Sequence, residues 1–191
     1  MLFFLFRDEE LGEIFGRLGY AWHAGTVRRN VAYYDRRTSH GSTLSFVTHA
    51  GVLAAIDPDS SWERFLVALH SDADDIQGGT TKEGIHIGVM AGTLDLVQRY
   101  YAGTFVRDSV LYFEPRLPAR LDGLAFPMQF RGTPLQVTLT GDHLTLAVHP
   151  EGGSRPIRVG ARGDIRELCP GEQTVFELSP DPATTGPAAR N

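Results

Sequence analysis

Near residue 106 the hydrophobic period of this 191-residue chain changes from that of a helix to that of a strand, so a single all-helical or all-strand layer is excluded. Before that point apolar residues recur at helical spacing. Leu11, Ile14, Phe15 and Leu18 share one face, and Gly19 follows where a C-cap glycine belongs. Thr26 is placed to cap a second helix through Val27, Val31 and Tyr34. A third runs from Ser42 through Leu44, Val47, Val52 and Leu53 to Ile56, with Asp57-Pro58 as its stop, and a fourth starts at Ser60 or Ser61. After Gly78-Gly79 a fifth extends from Thr81 to Tyr101. Beyond 106 the runs alternate: Phe126, Met128, Phe130; Leu135, Val137, Leu139; Leu144, Leu146, Val148; Ile157, Val159. Turn signals at Arg131-Gly132, Gly141-Asp142, Gly152-Gly153 and Pro170-Gly171 separate them. Short strands so spaced predict an antiparallel sandwich or barrel. The expected organisation is therefore helical over 1–105 and β over 106–178, with a disordered Pro- and Ala-rich tail over 179–191.

Composition narrows the class. With 42% hydrophobic residues, 21% charged residues and a net charge of −5, the chain reads as a globular protein with no basic surface for nucleic acid. The single cysteine, Cys169, cannot form an internal disulfide, fits a reducing compartment and reads as packing in a late strand. Met1 to Phe6 is wholly apolar, but Arg7-Asp8-Glu9-Glu10 follows at once. That run is too short for a signal peptide or a membrane span, so the expected location is cytoplasmic. It reads instead as the tail of a buried element whose upstream part is missing, and the five helices likewise need further helices to cover their apolar faces.

Two stretches at helix starts carry chemistry. Tyr33 to Ser45 gathers Thr38, Ser39, Ser42, Thr43 and Ser45 with Arg36, Arg37 and His40 before an apolar helix. Unpaired amides and the positive end of a helix dipole make such a place favourable for an anion, with phosphate the obvious guest. Capping by Ser42 or Thr43, with the arginines paired to surface carboxylates, explains the same residues. In the second stretch, Gly78 to Gly88, Thr80 and Glu83 have capping-box spacing. Gly84, Gly88 and Gly92 recur every fourth residue, which in a helix means close approach by a neighbour or a ligand. His86 is then either a satisfied core histidine or a side chain aimed into a cavity. His49 is placed to face the same cavity as His40. No histidine pair has metal spacing with a third ligand, so no metal is expected, and no serine sits in a nucleophile elbow. Asp72, Asp74 and Asp75 form an acidic cluster that could offer a carboxylate to a sugar hydroxyl, with a solvated loop the favoured reading.

At these stretches the chain resembles glycoside hydrolase family 65, which includes maltose, trehalose and kojibiose phosphorylases. The matching residues are Tyr33-Tyr34, Arg37 to Ser45, Gly79 to Ile87, Pro115-Arg116-Leu117-Pro118, and Leu124 to Phe130 with Arg131-Gly132, in that order. The resemblance implies an α+β multidomain fold, with the last helices of an (α/α)6 barrel followed by a small antiparallel β-sandwich. It implies inverting cleavage of an α-linked glucose disaccharide by inorganic phosphate, the co-substrate, releasing β-glucose 1-phosphate; some members are hydrolases. No other cofactor is implied. On this likeness Thr38, Ser39, His40, Gly41, Ser42 and Thr43 form the phosphate loop, and Glu83 and His86 line the cavity near sugar or phosphate. The family's general-acid glutamate and its Lys-Gln-Ala-Asp sugar-binding segment have no counterpart here, so no catalytic residue is assigned to this chain. The implied partner is the N-terminal barrel half, in the same or another chain, and a homo-oligomer is compatible. The alternatives are part of a family-65-type hydrolase, or a noncatalytic sugar- or anion-binding fragment.

Overall fold

A computed structural model describes residues 1–23, 25–151 and 155–178. The expected tail over 179–191 and the Gly152-Gly153 turn lie outside them. The chain divides into two compact units, Met1–Tyr101 and Ala102–Asn191.

The first unit is helical: α1 (Leu2–Leu5), α2 (Asp8–Arg17), α3 (Thr26–Asp35), α4 (Leu44–Leu53), α5 (Pro58–His70) and α6 (Ile87–Asp95), with a 3-10 turn over Thr80–Glu83 and a π-helical stretch over Leu96–Tyr101. Helix α2 ends as expected, with Gly19 at φ +76°. Other boundaries differ for local reasons. Thr26 is the first helical residue rather than a cap. Helix α5 begins at Pro58 because Asp57 caps it, accepting from the Ser60 amide at 3.1 Å, and proline suits a position whose N–H has no helical acceptor. The fifth predicted helix starts only at Ile87: Gly84, at φ +139°, breaks the chain after the 3-10 turn. The Thr80–Glu83 capping box does not form, and the Thr80 hydroxyl is buried without a hydrogen-bond partner.

Helices α4, α5 and α6 and the π-helical stretch form the core of this unit, with Val47, Ala50, Phe65, Ala68, Val89, Leu96 and Tyr101 buried. Ser61, also buried, donates to the Ala50 carbonyl at 2.7 Å and lies 3.2 Å from the Tyr101 hydroxyl. Of the three spaced glycines only Gly92 mediates a close helix approach: a Cβ there would sit 2.7 Å from Val47 Cγ1, whereas nothing lies within 4 Å of one at Gly84 or Gly88. Gly51 lets the stacked Phe4 and Tyr100 rings lie on α4, and Arg99 donates to the Phe4 carbonyl. Met1, Leu2, Leu5 and Phe6 are nevertheless exposed, so the apolar opening is a short helix, α1, that the described residues leave partly uncovered.

The second unit holds eight described strands: β1 (Thr104–Arg107), β2 (Val110–Phe113), β3 (Gly123–Phe130), β4 (Thr133–Thr140), β5 (His143–Val148), β6 (Ile157–Ala161), β7 (Asp164–Leu168) and β8 (Gln173–Glu177). They form two four-stranded sheets, ordered β1-β2-β6-β7 and β3-β4-β5-β8. The period-two reading holds residue by residue: Leu135, Val137 and Leu139 face one buried side, opposite Val148, Leu146 and Leu144. Leu111, Phe113 and Val159 of the other sheet join the same apolar core. The expectation of purely antiparallel pairing fails at one place. Strands β2 and β6 are parallel, which is possible because β3 to β5 intervene in the other sheet and supply the long connection that parallel pairing needs. Cys169 lies beyond the end of β7 and is exposed, not packed as expected. No described helix is long and apolar enough to cross a membrane.

Candidate functional site

The segment between α3 and α4 holds the first group of expected site residues. Its flanks are tied down locally. The Thr38 hydroxyl donates to the Tyr34 carbonyl at 2.9 Å, and Arg37 donates to the Tyr33 carbonyl at 2.9 Å with its guanidinium 3.8 Å over the Tyr33 ring. Thr38 and Arg37 therefore brace the loop. Between them and the helix the backbone is open. No amide from Ser39 to Thr43 donates to an acceptor among the described residues, and Ser39, Gly41 and Ser42 are exposed. His40 adopts a left-handed conformation at φ +49°, the kind of turn that lets successive amides converge on an anion. The capping alternative is met only in part: Thr43, at the N-cap, makes no side-chain cap bond, and Ser42 Oγ accepts from the Leu44 amide at 3.3 Å.

The His40 ring is engaged by other side chains. It stacks on Phe46 at 4.7 Å between centroids and meets His49 edge-on at 4.8 Å, which joins the two histidines as their positions predict. Hydrogen bonds fix its tautomer. The Ser45 hydroxyl donates to the Ser42 carbonyl at 2.7 Å, so at 2.9 Å it accepts from His40 Nδ1–H, which leaves Nε2 to accept from Arg64 Nη1 at 3.3 Å. Burial, then the Arg64 and His49 charges, hold the His40 pKa below its ordinary value, with Asp35 opposing. Asp35 in turn accepts from His49 Nδ1 at 2.9 Å and lies 3.7 Å from Arg64.

One nitrogen of each histidine and a carboxylate oxygen of Asp35 lie within 4.8 Å of one another, a grouping the sequence reading missed because the three residues come from separate segments. Arg64 fits a metal there poorly. Its guanidinium caps His40 Nε2 and approaches Asp35, placing a fixed cation beside the donors a metal would need. The cluster is better suited to holding the loop.

The second group lies in the segment from α5 to α6, and the Gln77 side chain joins it to the first by donating to the Gly41 carbonyl at 3.2 Å. His86 is neither a core histidine nor unsupported. Asp72 grips it twice, Oδ1 lying 2.5 Å from the ring Nδ1 and Oδ2 accepting from the His86 amide at 2.9 Å. Bonds from the His86 ring and amide keep the Asp72 carboxyl below its ordinary pKa. Asp75 accepts from the Thr81 amide at 3.4 Å, and Thr81 Oγ1 donates to the Asp72 carbonyl at 3.2 Å. Asp72 and Asp75 are thus structural partners of the turn and not the solvated cluster expected; Asp74 is exposed. Glu83 is exposed at the end of the 3-10 turn.

Comparison with known proteins places these segments in context. Residues 1–95 match the model of the glycosyl hydrolase family 65 central catalytic domain, and residues 105–166 match the model of the C-terminal domain of that family. An uncharacterized glycosyl hydrolase of Mycobacterium tuberculosis (strain ATCC 25618 / H37Rv) is 42% identical over 88% of this chain and 13% of its own length. The trehalose 6-phosphate phosphorylase of Lactococcus lactis subsp. lactis (strain IL1403) is 34% identical over 93% of this chain and 23% of its own. A solved structure, "Putative kojibiose phosphorylase from human microbiome", shares the fold with a TM-score of 0.68 at 21% identity, over 82% of this chain and 20% of that one. The chain thus spans less than a quarter of the length of these relatives.

Proposed function

Because the chain belongs to glycosyl hydrolase family 65 and corresponds to part of a carbohydrate phosphorylase or glycoside hydrolase, we propose that it supplies the phosphate-binding loop of an inverting α-glucoside phosphorylase. The observation that carries this reading is the run of amides from Ser39 to Thr43, without acceptors among the described residues and turned by a left-handed His40 ahead of α4, with Ser39, Gly41 and Ser42 exposed. Phosphate arrives already anionic. The protein's task is to hold it against the sugar's anomeric carbon, opposite the leaving oxygen. The loop does so with backbone donors, the Ser39 and Ser42 hydroxyls and the positive end of α4, while Thr38 and the His40 ring keep its shape. His86 and Glu83 complete the cavity near phosphate and sugar.

In this reading the helical unit is the closing part of an (α/α)6 barrel and the two sheets form the family's C-terminal β-sandwich. The general acid that protonates the leaving oxygen comes from the preceding barrel half, in the same or another chain. The exposed apolar side chains of Met1, Leu2, Leu5, Phe6 and Leu94 are the seat for that half. The substrate is an α-linked glucose disaccharide, and inorganic phosphate is the co-substrate.

Adding inorganic phosphate to the isotope-labelled chain and following its backbone amides tests the loop. Saturable shifts confined to Ser39 through Thr43 and His86 are expected. Shifts elsewhere only, or none, would overturn the assignment.

A further inference from the structure

We propose that Asp72 is a positioning residue for His86, fixing the ring so that Nε2 alone is offered to the bound anion; this rests on reading the Ser39–Thr43 loop as a phosphate site. One carboxylate holds both ends of one residue. Its Oδ2 accepts from the His86 backbone amide at 2.9 Å while its Oδ1 meets ring Nδ1 at 2.5 Å, so backbone and ring are set together. The carboxylate is only one-tenth exposed, whereas the His86 side chain is 28% exposed. An ionised carboxylate can only accept, so Nδ1 must carry the hydrogen. That leaves Nε2 as the ring nitrogen without a partner among the described residues. It accepts the hydrogen of a P–OH group or, once protonated, donates to a phosphate oxygen while Asp72 offsets the added charge.

The brace is itself braced. Thr81 Oγ1 donates to the Asp72 carbonyl, and the Thr81 amide donates to Asp75, so the residue that holds His86 is anchored to the turn that precedes it. Gln77, between Asp72 and that turn, reaches the Gly41 carbonyl in the other loop, which brings His86's segment to the open amides. The carboxylate–imidazole pair thus belongs to the site through position, with no contact to the anion by Asp72 itself.

The test uses the intact chain, 15N-labelled, with inorganic phosphate as the probe and long-range 1H–15N spectra of the histidine rings as the readout. Wild type should show His86 with its hydrogen on Nδ1, and phosphate should move the Nε2 signal. Asp72→Asn, which keeps the shape but removes the charge and one acceptor, should release the tautomer and raise the apparent phosphate Kd by about tenfold, the lower end of the loss seen when a metal-bound histidine loses its orienting partner. Thr81→Val removes the brace on the Asp72 backbone while leaving the carboxylate–ring pair, and should keep the tautomer and raise the Kd by less than Asp72→Asn does. A wild-type ring carrying its hydrogen on Nε2 overturns the proposal without any variant. So does an Asp72→Asn chain with unchanged tautomer and phosphate response, or a Thr81→Val chain that loses as much as Asp72→Asn. Failure of the phosphate reading looks different: the tautomer switches in Asp72→Asn, yet neither ring nor loop signals of the wild type respond to phosphate, and the ligand is then refuted while the pair's geometry stands.

Discussion

Three glycines with identical sequence spacing should respond to alanine in three different ways. At Gly92 the new Cβ would stand 2.7 Å from Val47 Cγ1 and 3.1 Å from Cγ2, roughly 1 Å inside normal carbon–carbon contact. Val47 is 2% exposed and lies in α4, where a β-branched side chain has one strongly preferred rotamer, so it cannot swing aside. Overpacking of this kind costs roughly 1–3 kcal/mol, against a gain of about 1 kcal/mol from replacing a helical glycine, so Gly92→Ala should destabilise by about 1 kcal/mol. Gly88 is exposed, in the first turn of α6 and without neighbours, so Gly88→Ala should stabilise by about 0.5 kcal/mol. Gly84 has open space but φ +139°, so Gly84→Ala should cost about 1–3 kcal/mol through the backbone alone. Both tryptophans, Trp22 and Trp62, lie in the helical unit, so urea unfolding followed by tryptophan fluorescence reads that unit selectively. Adding Val47→Ala should relieve the Gly92→Ala cost, making the double variant more stable than the sum of the single effects by about 1 kcal/mol. A neutral or stabilising Gly92→Ala, or strict additivity with Val47→Ala, would refute the packing argument.

Other outcomes follow from single contacts. Ser61→Ala, which removes a buried donor to the Ala50 carbonyl and a partner of the Tyr101 hydroxyl, should cost about 1–3 kcal/mol in the same assay. Asp57→Ala removes the α5 cap and should cost about 1 kcal/mol, with Asp57→Asn losing less. Gly103→Ala should prevent the β unit from reaching its native sheet, because a Cβ at φ +66° would fall 1.9 Å from the Glu114 carbonyl oxygen; a native far-ultraviolet dichroism spectrum would contradict this. Stability should fall on acidification in two windows. The folded pKa of His40 lies below its ordinary 6.5, so its contribution is present above that value and lost as pH falls through the folded one. The carboxyls of Asp57, Asp72 and Asp75 are held below 3.8 and act the same way in a lower window. His40→Gln should flatten the first window and leave the second.

Period and turn chemistry carried the fold because both are local. The alternation of Leu135, Val137 and Leu139 determines which face of β4 is buried, and Gly19 marks the end of α2, wherever the rest of the chain lies. What escaped was set by distant partners. The parallel pairing of β2 with β6 depends on the path of the intervening strands, which no local pattern encodes. The helix expected from Thr81 fails because Gly84 needs a positive φ, and spacing cannot separate that glycine from Gly92, whose role is to admit Val47. At the site, the loop residues were legible as hydroxyls and a histidine before a helix. Asp72, Asp35 and Arg64 were not. Asp72 and Asp35 each meet a histidine fourteen residues away, and Arg64 reaches His40 from another helix, separations with no periodic signature. His40 itself was read as part of a phosphate loop; its ring is committed to Ser45 and Arg64, which leaves only its backbone for an anion.

In the proposed reaction this chain brings phosphate to a sugar activated by the rest of the barrel. Joining the chain to the preceding barrel half of a family relative and assaying cleavage of α-linked glucose disaccharides tests it directly. The joined protein should yield β-glucose 1-phosphate whose release rises with phosphate concentration to saturation and falls sharply when Gly41→Pro distorts the loop. Cleavage to free glucose at a rate indifferent to phosphate would contradict it.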